Sequence, residues 1–257
     1  MTLIATYINK FGIIHISDSN LSTSKGNAGF GQKVFPVPNL NSALSYSGSY
    51  SVNGETIDKW MNNFILSTYA YSKSIEEFTE NLSRKLTSEM RDYEIAQPTI
   101  IHIAGYSKGE LFSHVEFWHI SNTGLQDDGE YSVGKSEFNF ENDFNSLKNP
   151  KDEENLAGFD KHPLLNQWFI NGFPPGRITH QYLKQKLDPF LAEIWKIDGW
   201  KFREPRNIFE SAEIIKTYFQ LLIKLFVMSD YPAMYIGGEI QTHLIPAPPD
   251  LRKTKNL

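Results

Sequence analysis

Thr2 to Ile8 and Ile13 to Asp18 are short, mostly apolar runs rich in β-branched residues that read as strands. Asn9-Lys10-Phe11-Gly12 between them has the composition of a tight turn in which Gly12 can take positive φ, so the two segments predict a hairpin. Ser19 to Gly31 is rich in Ser, Asn and Gly and predicts a loop. Lys33 to Val37 and Ser42 to Gly48 predict a second hairpin across Pro38-Asn39-Leu40-Asn41. The period then changes. Over Val52 to Tyr71, Ile57, Trp60, Met61, Phe64, Ile65 and Thr68 fall at three- and four-residue steps, the stripe of a helix that packs on a sheet. Ser74-Ile75-Glu76-Glu77 has the form of a capping box and opens a second helix through Phe78, Leu82, Leu86 and Met90.

Strand pattern resumes at Pro98 to Tyr106, whose run Thr99-Ile100-Ile101-His102-Ile103-Ala104 suits a strand covered on both faces. A turn at Ser107 to Glu110, a returning strand from Leu111 to Ile120 and a further strand from Glu130 to Gly134 follow. The segment 137–177 is rich in Asn, Asp, Glu and Lys, carries Phe138, Phe140, Phe144 and Trp168-Phe169-Ile170, and predicts a long surface insertion. Helical spacing returns from Ile178 to Trp195, interrupted at Asp188-Pro189, and from Phe209 to Met228, which is apolar on most sides and predicts a centrally buried helix. Ala233 to Ile245 predicts a strand pair around Gly237-Gly238, and Pro246 to Leu257 a polar tail. Strands, a helix pair, strands, a helix pair and a closing strand together predict one α+β domain over residues 1–257.

Composition narrows the function classes. The chain has 257 residues, 40% of them hydrophobic, enough to bury a large core. Its formal net charge of −5 disfavours a nucleic-acid partner. The absence of cysteine excludes disulfides and thiolate metal sites. No secretory signal pattern and no apolar run of membrane-spanning length occur, so the expectation is a soluble, untargeted cytoplasmic protein. His114 and His119 share a strand region without metal-ligand spacing, and Gly237-Gly238 precedes a strand rather than a helix, a poor phosphate-loop signal.

The chemistry sits at the start of the chain. Thr2 is small enough for removal of the initiator methionine, which leaves a hydroxyl beside its own α-amine, a nucleophile carrying its own base near neutral pH. A nearby cation lowers the pKa of that amine further, and Lys33 is the candidate, with Asp18 orienting it. A backbone N–H near Gly48 is the candidate oxyanion donor, because glycine lets the chain approach a reacting carbonyl. Each residue also has a structural reading: Thr2 as an ordinary strand residue, Asp18 as a loop starter, Lys33 as an edge-strand lysine and Gly48 as a turn glycine.

Thr2-Leu3-Ile4-Ala5, Ile14-His15-Ile16-Ser17-Asp18-Ser19, Gln32-Lys33-Val34-Phe35 and Ser45-Tyr46-Ser47-Gly48, in that order, resemble the N-terminal nucleophile hydrolases of the proteasome β-subunit and bacterial HslV type. The intervals from Thr2 to Asp18 and to Gly48 match that family, and the interval to Lys33 is one residue short, a difference the 22–31 loop absorbs. The resemblance implies a four-layer αββα sandwich, a threonine hydrolase acting on peptide or other amide bonds, no cofactor, and assembly as a homo-oligomer. It also implies a supporting serine where this chain has Lys135 in Val133-Gly134-Lys135-Ser136, with Ser132 and Ser136 as possible substitutes. Two other readings stand beside it: a catalytically inactive proteasome-like scaffold or binding protein, and a small-molecule amidase.

Overall fold

The computed structural model describes residues 2–23, 26–68, 71–109, 113–123, 137–142, 167–171, 205–228 and 236–252. The strand Glu130 to Gly134, the helix Ile178 to Trp195, the Lys135 region and most of 137–177 lie outside them.

The first hairpin forms as the sequence predicts, from β1 (Ile4–Asn9) and β2 (Gly12–Asp18), with Asn9 paired to Gly12. The Asn9 carboxamide closes the turn by accepting from the N–H groups of Phe11 at 2.8 Å and Gly12 at 3.1 Å. A side chain at Gly12 has no room: its Cβ would lie 2.3 Å from the Ile245 carbonyl oxygen and 2.4 Å from Ile208 Cδ1. The expected loop of Ser19 to Gly31 is instead largely a hairpin of β3 (Asn20–Thr23) and β4 (Gly26–Phe30), with a register shift at Leu21/Ser22. Polar, glycine-rich composition masked it, because a two-stranded ribbon needs no apolar alternation to pair its backbone.

β5 (Val34–Val37) and β6 (Ser42–Ser47) make the next hairpin, joined by a 3-10 turn at Pro38–Leu40 and by Asn41 in the left-handed region at φ 46°. The predicted helix from Val52 starts later than expected. Ser51–Val52 (β7) and Glu55–Thr56 (β8) form a small hairpin whose turn residues, Asn53 and Gly54, have φ of 51° and 79°, and α1 runs from Ile57 to Thr68. That Asn-Gly pair is a stronger turn signal than the helical stripe beyond it. In α2 (Ile75–Glu89) the Ser74 hydroxyl caps the Glu77 N–H at 3.1 Å, while Glu77 accepts from the Lys73 N–H at 2.7 Å. A short α3 (Asp92–Ile95) precedes β9 (Ile100–Lys108) and β10 (Ser113–Ser121).

Beyond these come β11 (Asn139–Asn142), β12 (Gln167–Asn171), α4 (Ile208–Val227), β13 (Ile240–Pro246) and α5 (Pro249–Arg252). Both described pieces of the predicted insertion are strands: β11 pairs with β10 and β12 with β1. The expected polar tail also folds in part, since Ala247 and Leu251 are buried.

The described residues thus form an α+β fold with two antiparallel sheets, ordered β12-β1-β2-β13 and β11-β10-β9-β6-β5, and two small hairpins. The two-residue period assigns each face of each sheet a different neighbour. Leu44, Tyr46, Ile101, Ile103, Trp118 and Ile120 of the five-stranded sheet pack against Trp60, Met61, Phe64 and Ile65 of α1 and Phe78, Leu82 and Leu86 of α2. Leu3, Ala5, Ile14 and Ile16 meet Ile208, Ala212, Ile215 and Phe219 of α4. Ile8, Ile13 and Ile245 of the four-stranded sheet share a cluster with Ala43, Ala104, Tyr106 and Phe117 of the other. Among its described side chains helix α4 is not buried on most sides as its composition predicts: Ile208, Ala212, Ile215 and Phe219 are buried, while Phe209 is 68% and Leu221 38% exposed. Among the described residues no helix is long and apolar enough to cross a membrane.

Candidate active site

Thr2, Asp18 and Lys33 meet at one end of the space between the sheets, although they come from different elements. Thr2 precedes β1, Asp18 ends β2, and Lys33 precedes β5 in the opposite sheet. The Lys33 ammonium lies 2.7 Å from Thr2 Oγ1 and 3.3 and 3.4 Å from the two Asp18 carboxylate oxygens. All three residues are buried, Thr2 at 6%, Asp18 at 0% and Lys33 at 1% exposure, so this is an ion pair withdrawn from water with a hydroxyl bound to its cation.

Backbone donors build the anionic half. Asp18 Oδ1 accepts from the Leu3 N–H at 2.8 Å, and Oδ2 accepts from the N–H groups of Asn20 and Gly237, each at 3.2 Å. Gly237 returns its carbonyl to the N–H groups of Ser19 and Asn20. The glycine pair that reads poorly as a phosphate loop therefore clasps the end of β2 and fixes the carboxylate. No local sequence signal marks that role, since Gly237 lies far from Asp18 in the chain.

Burial opposes charge on both partners. It pushes the Lys33 ammonium below the ordinary lysine range, against the pull of the Asp18 carboxylate. It pushes Asp18 above the usual carboxylate range, against the Lys33 charge and the Leu3 and Gly237 N–H donors. A lysine with a lowered pKa, in contact with a hydroxyl, is equipped to exchange a proton with it.

Gly48 follows β6 beside this group. The Ser47 hydroxyl donates to the Thr2 carbonyl at 3.2 Å, which ties the end of β6 to residue 2. Thr99 fills the space under Gly48: a Cβ there would fall 2.2 Å from Thr99 Oγ1. Thr99 also accepts from the Ser49 N–H at 3.2 Å and is itself held by Asn122, whose Oδ1 accepts from the Thr99 N–H at 2.8 Å. The Tyr46 hydroxyl secures the same turn by donating to the Ser49 carbonyl at 2.9 Å. Sequence reasoning did not assign Ser47, Thr99 or Asn122 a part in the site.

A second polar group lies deeper between the sheets. Thr6 Oγ1 is 3.2 Å from Nδ1 of both His15 and His102, and the His102 and His119 rings stand 5.0 Å apart. Burial, with the neighbouring His243 adding to it, lowers His15 to about 3, and burial lowers His119 to about 4, so both are neutral at pH 7. Among the described residues no group of three or more His, Asp or Glu side chains is arranged to hold a metal ion. No protein-family model matches the chain, and no curated protein matches it.

Proposed function

We propose that the chain is an N-terminal threonine hydrolase of the proteasome β-subunit and HslV-like class, cleaving peptide or other amide bonds on a four-layer αββα sandwich. The reading rests above all on the 2.7 Å contact between Lys33 Nζ and Thr2 Oγ1 inside a buried pair with Asp18. The architecture is supported by the three clusters that put α1 and α2 on one sheet, α4 on the other, and the sheets against each other.

Removal of Met1 frees the α-amine of Thr2. Thr2 Oγ1 then attacks the substrate carbonyl carbon, and its proton passes to the α-amine, whose basicity Lys33 and Asp18 tune. The carbonyl electron pair moves to the oxygen, which the Gly48 N–H receives. Collapse of the tetrahedral intermediate breaks the C–N bond, and the shuttled proton leaves with the amine. Water hydrolyses the resulting ester by the reverse sequence. No cofactor enters these steps, and a homo-oligomeric assembly in the cytoplasm would confine the activity.

Intact-mass measurement with a panel of fluorogenic peptides and a threonine-directed β-lactone tests the proposal. Wild type is expected to lack Met1 and to take the label at Thr2, and Thr2→Ala to lose both turnover and label. Turnover unchanged in Thr2→Ala removes Thr2 from the mechanism. A second reading, the inactive scaffold, is favoured by the 6% exposure of Thr2, and retention of Met1 would select it.

A further inference from the structure

Lys33 and its two partners belong to different sheets. Facing sheets stand about 10 Å apart, so the position of the ammonium depends on how the start of β5 is held relative to β2 and β13. The Gln241 side chain makes that connection beside the main-chain bond from the Gly31 N–H to the Ser19 carbonyl at 2.9 Å. Gln241 sits on β13, in register with Ser17 of β2 and next to Ile240, which pairs with Asp18. Its carboxamide leaves its own sheet: Oε1 accepts from the Lys33 N–H at 2.7 Å and from the Val34 N–H at 3.3 Å, and Nε2 donates to the Gly31 carbonyl at 2.7 Å. A single amide thus binds main-chain groups on both sides of Gln32 and holds the chain on which Lys33 stands.

We infer that Gln241 is a positioning residue for the Thr2–Lys33–Asp18 group, an inference that rests on the proposed threonine chemistry. It acts through Lys33 and touches no reacting atom. Its acceptor oxygen suits two successive N–H groups and its donor suits a carbonyl, a match that an apolar side chain of the same size lacks. Without it the Lys33 N–H loses its acceptor, the main-chain bonds of Gly31 to Ser19 and of Lys33 to Tyr46 are left to hold the start of β5, and the loosened segment lets the ammonium move off Thr2 Oγ1 and water reach the pair. Misplacing a catalytic group by about 1 Å is enough to cost about 100-fold in rate. The α-amine that takes the Thr2 proton then has its cationic neighbour further away, so the labelling midpoint moves upward, a change that unfolding of part of the sample does not produce.

The test measures the β-lactone labelling rate of Thr2 against pH in wild type, Gln241→Leu and Gln241→Glu, with amide hydrogen exchange over residues 31–35 as a readout independent of activity. Gln241→Leu is expected to label about 10- to 100-fold more slowly, with its pH midpoint moved upward and the Lys33 and Val34 amides deprotected. Gln241→Glu keeps the acceptor for the Lys33 and Val34 N–H groups but loses the donor to the Gly31 carbonyl, and is expected to fall between wild type and Gln241→Leu in protection and rate. If Gln241→Leu does not fold, Gln241→Asn, one methylene too short to reach Gly31 and Lys33 together, is held to the same outcomes. Wild-type rate and midpoint together with deprotected amides overturn the inference and leave the threonine chemistry standing. A wild-type protein with a free Thr2 that takes no label overturns both.

Discussion

Replacing Lys33 by methionine removes the charge while keeping nearly all of the stem volume, so the packing loss is small. What remains is a carboxylate at 0% exposure, with N–H donors from Leu3, Asn20 and Gly237 but without the ammonium 3.3 Å away. Removing one partner of a buried pair costs about 3–5 kcal/mol, because the other charge stays buried. Loss of Lys33 is expected to abolish activity, and the burial of the pair makes the change expensive for stability as well. The sign with pH follows from Asp18. Its folded pKa already lies above the ordinary carboxylate value through burial, and losing the Lys33 charge raises it further. An unfolded aspartate titrates near ~3.9, so over the window from about pH 4 up to the folded value the native state holds a proton that the unfolded state has released. Stability therefore falls as pH rises through that window. Urea unfolding followed by tryptophan fluorescence at pH 4.5 and pH 7 is expected to show a Lys33→Met deficit near 4 kcal/mol at pH 7 that shrinks at pH 4.5. Contributions from the histidines cancel in the difference between variant and wild type. Adding Asp18→Asn should recover at least half of the loss. A deficit under about 1 kcal/mol at pH 7, or one that does not shrink on acidification, refutes the argument.

Other residues give separate tests. In Gly48→Ala the new Cβ meets Thr99 Oγ1, so the turn must shift; labelling of Thr2 should fall steeply while urea unfolding registers a loss of about 1–3 kcal/mol. Glu94 accepts from Ser51 Oγ at 2.6 Å and from the N–H groups of Asn53, Gly54 and Arg91 at 2.7–2.9 Å. Burial alone would raise its pKa, but the donors from Arg91, Ser51, Gly54 and Asn53 outweigh it and hold the carboxyl below its usual range. Its contribution is present above about pH 4.3 and lost as pH falls through the lower folded value. Glu94→Gln should then cost about 1–3 kcal/mol at pH 7 in urea unfolding, with the deficit fading in acid. His15, lowered to about 3 by burial and by His243, stays neutral in the fold while the unfolded chain protonates near ~6.5. Wild type should lose about 1.4 kcal/mol per pH unit below that value from this group, and thermal melts of His15→Gln between pH 7 and 5 should show a shallower slope.

Much of the fold is legible in local pattern. The β1–β2 and β5–β6 hairpins follow from short strand-forming runs and the turn residues between them, and α2 from its stripe and the Ser74 cap. The failures have local causes too. A polar ribbon hid β3 and β4, Asn53-Gly54 turned the chain before α1 could begin, and the composition of α4 suggested deeper burial than one packed face provides. The candidate site divides in the same way. Residue chemistry and the resemblance that their order and intervals carry single out Thr2, Asp18, Lys33 and Gly48, because the order of strand ends is written in the sequence. Which groups reach them is decided by sheet packing: Gly237 and Gln241 approach from β13 and the segment before it, and Thr99 and Asn122 lie under the Gly48 turn. Periodicity determines which face of a strand a residue occupies, since that depends on neighbours a few positions away. It carries no information on which distant backbone amides a buried carboxylate or carboxamide will meet, because that follows from the distance and register between two sheets.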